Sequence, residues 1–324
     1  MSNLARLRGR LLSRVARWHR SRYLDQPDFE ALESRVVWIF GSPRTGSTWL
    51  LRMLAEAPAP GVAPINETWA GELFNRTFGW HQDGTLKIAS SAESHASLPG
   101  WVFAPEREPL WRPLMRAFLL EGFEHQLVHG QAQTDWPRPH VVVKEPNTSE
   151  AADTLVKVLP RSRVLFLSRD GRDVVDSMLD LFTTAGWGPP EELGWDGLPL
   201  EERHNFVLGT AANWVYRMDV VERACELIGP EAVLRVRYED LFSATAAELI
   251  RIARWIGLEA SEDWAAEVAR RYAFERIPEE ERGSGKFHRA ATPGLWRQNM
   301  GAAEQELLNE VMGDKLRELG YETD

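Results

Sequence analysis

The sequence predicts an α/β protein: a single P-loop-like domain in which a doubly wound parallel sheet is flanked by helices, with irregular lid regions. Three observations predict it. Short, largely apolar runs recur at 35–40, 140–143, 163–167 and 232–237, the length and composition of strands buried on both faces. Stretches of helical periodicity alternate with these runs, the order that gives a parallel sheet. The first run leads directly into GSPRTGSTWLL, residues 41 to 51, which has the strand, glycine-rich turn and helix of an anion-binding loop.

In chain order, residues 35–40 form the first strand and 48–57 the first helix of the sheet. PAPGVAPIN, 58–66, reads as turn. Residues 78–139 are irregular and rich in Trp, His and Pro, with one helix over 114–129. The second strand covers 140–143 and is followed by KEPN and a helix over 151–159. The third strand, 163–167, precedes a helix over 173–182. A Gly/Pro-rich loop, 183–199, leads to a long helix over 205–228. The fourth strand, 232–237, is followed by YEDL and a helix over 244–256. A charged, glycine-containing cover runs from 278 to 293, and a last helix from 302 to 319. In a sheet of this kind the binding crevice lies at the C-terminal ends of the strands.

Composition narrows the function. With 324 residues, 44% hydrophobic and 10% aromatic, the chain can bury a sizeable core. A net charge of -10 argues against nucleic acid as a partner. The single Cys225 excludes an internal disulfide framework and suits a reducing compartment. No apolar run approaches the roughly 20 residues of a membrane span. Residues 1–24 carry seven Arg and no acid, and Leu4, Leu7, Leu11, Val15 and Trp18 recur at helical spacing. The N-terminal 30 residues are therefore expected as a basic amphipathic helix, with the domain proper over 31–324. That helix suits peripheral contact with an anionic membrane, an acidic partner, or the acidic body of the chain itself.

Gly41, Gly46 and Thr48 keep the spacing of the phosphate loop of nucleoside-triphosphate proteins, but Ser47 stands where that loop has lysine. The amides of 44–48, the start of the following helix, the Arg44 guanidinium and the hydroxyls of Thr45, Ser47 and Thr48 can still hold a phosphate. What is missing is the grip on a γ-phosphate. SRDGRDVVDS, 168–177, supplies a second anion site after another strand, with Arg169 and Ser177 able to converge on it. Asp170 is flanked by Arg169 and Arg172, so a salt bridge suits it better than a magnesium ion. Two separate anion sites fit a nucleotide phosphorylated at two positions.

These pieces resemble a known family. GSPRTGSTWLL is similar to the 5′-phosphosulfate loop of sulfotransferases that use 3′-phosphoadenylyl sulfate, in its bacterial or carbohydrate-type branch. LFLSRDGRDVVDS resembles the family's 3′-phosphate motif. VRYEDL with WIGL resembles its purine-side segment, and HRAATPGLWR, 288–297, its cofactor-covering motif. The absent lysine is then expected, because the donor has no γ-phosphate. The resemblance implies that Arg44, Thr45, Gly46, Ser47 and Thr48 hold the 5′-phosphosulfate. It implies that Trp49 stacks at the adenine with Tyr238 on its other side, and that Arg169, Ser177 and Arg289 bind the 3′-phosphate. Ala290 and Ala291 replace the Lys-Gly of cytosolic members, which leaves Arg289 to grip alone there.

Sulfuryl transfer needs positioning and cationic stabilisation of the leaving phosphate and no metal. Arg44 and Lys144, at the C-terminal edge of HVVVK, are the candidate cations. Cytosolic members place a histidine base after the strand matching HVVVK, where this chain reads KEPN. Other branches use a glutamate after the second strand, and Glu67 occupies that place, with Glu145 second. His81, His95, His125, His129, His140 and His204 stay open as bases. The expected acceptor is a hydroxyl of a small molecule, glycoside or glycolipid, framed by Trp101, Trp111, Trp187 and Trp195. Arginine outnumbers lysine 33 to 5 within the total of 38, which points to a GC-rich genome and a bacterial, cytoplasmic enzyme. Two other readings remain at this stage: a P-loop kinase and a non-catalytic nucleotide-binding protein. The sequence leaves the oligomeric state undefined.

Overall fold

The computed structural model describes residues 27–74, 77–82, 85–90, 95, 98, 100–129, 138–184, 200–283 and 291–323. A parallel sheet is built from β1 (Val36–Gly41), β2 (Val62–Asn66), β5 (His140–Lys144), β6 (Arg163–Ser168) and β7 (Val233–Arg237). Their spatial order is β2-β5-β1-β6-β7. A separate antiparallel hairpin joins β3 (Thr77–Gln82) to β4 (Thr85–Ser90). Central β1 is buried along its whole length because it has neighbours on both sides, Val37 lying opposite Val142 and Arg163.

Alternate residues of β1 enter two different cores, the period-two rule of a strand. Val36, Trp38 and Phe40 face one core with Leu155 of α4 (Ala152–Val158), Val174 of α5 (Gly171–Thr184) and Trp214 of α6 (Leu200–Ile228). Val37 and Ile39 face the other with Leu50 of α2 (Ser47–Ala55) and Leu249 of α8 (Thr245–Ile256). The chain therefore leaves β1 toward one face of the sheet and leaves β5 and β6 toward the other. Divergence of this kind opens a crevice beyond the C-terminal end of β1, where GSPRTG lies.

The structure extends the sequence-based expectation in several places. Strand β2 falls in the stretch read as turn; Pro64 is tolerated there because β2 is an edge strand with β5 on one side. Helix α3 is Glu108–His129, so it starts six residues before the expected 114 and runs through Pro113. Helix α6 starts at Leu200, not Asn205. Helices α1 (Pro27–Glu33), α7 (Tyr238–Ser243), α9 (Glu262–Arg271), α10 (Trp296–Asn299) and α11 (Ala302–Glu318) complete the described set. Phe29 and Leu32 of α1 are buried. The basic segment 1–24, Arg289 and most of the loop 183–199 lie outside the described residues. Among the described residues no helix is long and apolar enough to cross a membrane.

Candidate active site

The turn after β1 is glycine-dependent at two points. A Cβ on Gly41 would lie 2.2 Å from the Leu167 carbonyl oxygen of β6, so the backbone passes too close for a side chain. Gly46 has φ 78, and a Cβ there would meet the Tyr238 ring at 2.9 Å. Arg44 is also left-handed, at φ 68, a conformation that costs a non-glycine residue about 1–3 kcal/mol. Two bonds hold it. Arg169 Nη1 donates to the Arg44 carbonyl at 2.8 Å, and Arg44 Nε donates to Ser177 Oγ at 2.9 Å. The Thr45 hydroxyl is buried and donates to the Ser42 carbonyl at 2.8 Å, so it shapes the turn from inside. The first intrahelical acceptor is the Gly46 carbonyl, taken by Leu50 N. The amides of Ser47, Thr48 and Trp49 therefore open α2 without an intrahelical acceptor and can receive an anion at the positive helix end.

The two anion motifs meet in the crevice. Arg169 directly follows β6 and points at the glycine turn; Ser177 lies on α5, which comes next. Arg169 Nε is buried and has no hydrogen-bond partner among the described residues. A phosphate seated at this corner would pair it, and a buried unpaired N–H costs about 1–3 kcal/mol. Asp170 is committed to Arg172, whose Nε and Nη2 donate to its two oxygens at 3.0 and 2.8 Å. Asp173 is buried and accepts from the amides of Gly294 and Trp296 at 2.7 and 3.3 Å. It therefore pins the end of the covering segment onto the helix that carries Ser177. Burial pushes its carboxyl up, with Arg169 acting in the opposite direction.

Tyr238, which the resemblance sets at the adenine, is enclosed. Its ring is 4% exposed, with the Arg169 guanidinium 4.4 Å from its centroid, Gly46 against its edge and Phe242 stacked at 6.1 Å. Its hydroxyl donates to the Ala291 carbonyl. Trp49 meets it edge to face, 6.4 Å between centroids at 65°, and donates its indole N–H to the Tyr272 carbonyl at 2.9 Å. Two rings at that angle and separation leave no slot for a base between them. Tyr238 supports the loop from below, and Trp49 alone of the pair borders the crevice.

Beside Thr48 stands a polar cluster built by the pairing of β2 with β5, which sets Asn66 opposite Lys144. Lys144 Nζ donates to Thr48 Oγ1 at 3.2 Å and to Glu67 Oε1. Asn147 Nδ2 donates to Glu67 Oε2 at 2.7 Å. The ion pair is mostly enclosed, with 6% of the Lys144 side chain and 12% of Glu67 exposed. Glu67 and Trp69 are left-handed, at φ 60 and φ 56. Glu145 holds that turn in place. It is 1% exposed and accepts from Thr68 N at 2.7 Å, Thr68 Oγ1 at 2.9 Å and Thr148 Oγ1 at 2.5 Å. Both its oxygens are engaged, so it is a clamp for the Glu67 turn. His140 lies at the opposite end of β5 from Lys144, far along the strand from the crevice. The side chains of His81 and His129 lie outside the described set.

Burial pushes the Glu145 carboxyl up, against the bonds from Thr148 and Thr68. The folded chain then keeps this proton to a higher pH than the unfolded chain does. The contribution to stability is full below the ordinary carboxylate range. It declines as pH rises from there to the raised value, and is level above it. Glu145→Gln is expected to reduce the wild-type decline by up to about 1.4 kcal/mol per pH unit, measured by urea unfolding from mildly acidic to neutral pH. Parallel profiles for the two proteins would contradict the assignment.

Among the described residues no group of three or more His, Cys, Asp or Glu is arranged to hold a metal ion. Asn147, Thr68 and Asp173 were not singled out in the sequence, although KEPN places Asn147 three residues from Lys144.

A five-stranded parallel sheet with a phosphate-type loop after its central strand, and a second cationic corner tied to that loop, defines an α/β protein of P-loop-like architecture. Residues 37–263 match the sulfotransferase family, and the chain belongs to that family. It is 24% identical over 230 residues to protein-tyrosine sulfotransferase 2 of Gallus gallus. The match takes in 71% of this chain and 53% of that protein, so the chain spans about half the length of this relative. The fold is also that of mouse sulfotransferase SULT7A1 complexed with PAP. That likeness has a TM-score of 0.51 at 12% identity and covers 87% of this chain and 84% of that chain.

Proposed function

We propose that this protein transfers a sulfuryl group from 3′-phosphoadenylyl sulfate to a hydroxyl of a small-molecule, glycoside or glycolipid acceptor, releasing adenosine 3′,5′-bisphosphate. One observation carries the reading: Arg169 and Ser177 are each bonded to Arg44, so both anion motifs face a single crevice. The amides opening α2, with Arg44, Ser47 and Thr48, take the 5′-phosphosulfate. Arg169 and Ser177 take the 3′-phosphate, with Arg289 completing that grip, and Trp49 borders the adenine.

Lys144 and Glu67 divide the chemistry. Lys144 already reaches Thr48 and turns its charge to the leaving phosphate oxygen. That move loosens its hold on Glu67, which Asn147 keeps oriented. Glu67 removes the acceptor's proton as the acceptor oxygen bonds to sulfur and the bond from sulfur to the 5′-phosphate oxygen breaks. The charge that develops on that oxygen is met by Lys144, Arg44 and the helix terminus. The kinase reading is disfavoured because Asp170 is spent on Arg172. A reducing, cytoplasmic setting suits Cys225, a buried thiol pushed up to about 12 by burial.

Thermal unfolding tests the donor. Adenosine 3′,5′-bisphosphate is expected to raise the melting temperature more than ATP with magnesium at equal concentration. A larger rise with ATP and magnesium would replace this reading with the kinase one.

A further inference from the structure

Beside the loop lies an open cleft of about 370 Å³, within the range of small-molecule sites. It is lined by Ser42 and Pro43 of the loop, by Asn147, which bonds Glu67, by Val174 and Met178 of α5, and by α6. The α6 wall carries Phe206, Asn213 and Arg217. Two of these are incompletely paired. Among the described residues, Asn213 Oδ1 is an enclosed acceptor with no donor and Arg217 Nε an enclosed donor with no acceptor, both shut off from solvent behind the cleft surface. Arg217 Nη2 donates to Glu150 Oε1 at 2.8 Å and reaches the Asn147 carbonyl at 3.5 Å.

Residues 213 and 217 are four apart on one helix and so lie on the same face, about 6 Å apart along its axis. One acceptor and one donor, a helical turn apart just behind a single cleft wall, complement, once turned toward the cleft, a ligand that offers both kinds of group from a ring of similar size. A ring with several hydroxyls does so, since each hydroxyl donates and accepts. A flat apolar ring with a single hydroxyl would leave both protein groups unpaired, and sites of this kind discriminate strongly against a ligand that lacks the matching polar group. Phe206 adds an apolar surface for the C–H face of such a ring.

Resting on the transferase reading above, we propose that this cleft is the acceptor subsite and that it selects a polyhydroxylated ring, with Asn213 and Arg217 as the selecting groups. The acceptor enters between the loop and α6. Its reacting hydroxyl is directed toward Glu67 by Asn147, and its remaining hydroxyls meet a small movement of Asn213 and Arg217 toward the cleft.

Transfer from radiolabelled 3′-phosphoadenylyl sulfate, measured on the full chain with two acceptor panels, tests this. One panel holds the methyl glycosides of glucose, galactose and mannose; the other holds 4-nitrophenol, cyclohexanol and 1-octanol. The best glycoside is expected to exceed the best monohydroxyl compound by at least tenfold in kcat/KM. Asn213→Leu is expected to lower that glycoside's kcat/KM by about 10–100-fold, mostly through KM, because an apolar side chain removes the acceptor. Asn213→Ser, smaller and still polar, should fall between, and covers the case in which the leucine variant does not fold. Affinity for adenosine 3′,5′-bisphosphate should stay within about twofold in both. Preference for the monohydroxyl panel, or glycoside kinetics unmoved by both variants, overturns the proposal. Rejection of both panels by a protein that binds the bisphosphate overturns the acceptor class alone. Failure to bind the bisphosphate overturns the donor reading as well.

Discussion

Glu67→Gln is expected to lower kcat by about 10²–10⁴-fold, the range that a positioned general base contributes, without weakening adenosine 3′,5′-bisphosphate. The substitution keeps size and leaves one carbonyl oxygen, which can accept from Asn147 in place of the two oxygens that now take Asn147 and Lys144, and the turn between β2 and the following segment stays held by Glu145. What it removes is a basic oxygen. It also removes a negative charge next to an anion site and frees Lys144, which reaches Thr48. Bisphosphate affinity is therefore expected to be unchanged or up to about tenfold tighter. Calorimetry for binding and a radiolabel assay for transfer separate the two effects. Retention of activity within about fivefold would show that another group takes the proton. Glu145 is a poor substitute, because Thr68 and Thr148 occupy its oxygens and it is enclosed. Glu145→Gln should consequently cost much less activity than Glu67→Gln.

The parts of this site that lie close together in the chain could be read from the sequence. The glycine spacing of the loop, the burial of β1 and the eight-residue interval from Arg169 to Ser177 are local patterns, and local geometry fixes what they do. The hairpin of β3 and β4 was legible too, since Asp83-Gly84 joins two six-residue segments and is a strong hairpin signal. The aromatic density around it drew the reading toward irregular loop. Strand β2 was obscured by Pro64, a residue that an edge position admits and a central one does not.

Other features depend on contacts between distant segments. The bond from Asn147 to Glu67 joins residues 80 apart and exists only because β2 lies against β5. The clamp role of Glu145 has the same origin. From its position alone, Glu145 resembles a second base; its burial and its two threonine partners make it a support. Tyr238, which the resemblance sets at the adenine, has surroundings that its position in the chain did not disclose. Aromatic character suggested an adenine platform, but the missing Cβ of Gly46 lets the turn settle onto the ring, and Arg169 covers it. An open π face cannot be inferred from residue type when the neighbours that would cover it come from other strands.

Arg169→Ala is expected to weaken adenosine 3′,5′-bisphosphate by about 10²–10³-fold, from the loss of charge-assisted bonds of about 1.5–3 kcal/mol each at about 1.4 kcal/mol per tenfold. A fall in affinity alone would be ambiguous, because Arg169 also supports the loop through the Arg44 carbonyl. The ratio of affinities for the bisphosphate and for adenosine 5′-phosphate resolves it. A guanidinium that holds the 3′-phosphate makes the wild-type protein prefer the bisphosphate strongly, and its removal should bring that preference to within a few-fold. A guanidinium that only braces the turn would weaken both nucleotides alike and leave the ratio intact, and that result would end the 3′-phosphate assignment. Arg169→Lys sharpens the comparison. A lysine supplies the charge without the planar fork, so it can serve the Arg44 carbonyl or a phosphate but not both in the present geometry. Its nucleotide preference should therefore fall between those of the wild type and the alanine variant, with Ser177 and Arg44 still paired to each other on the far side of the site.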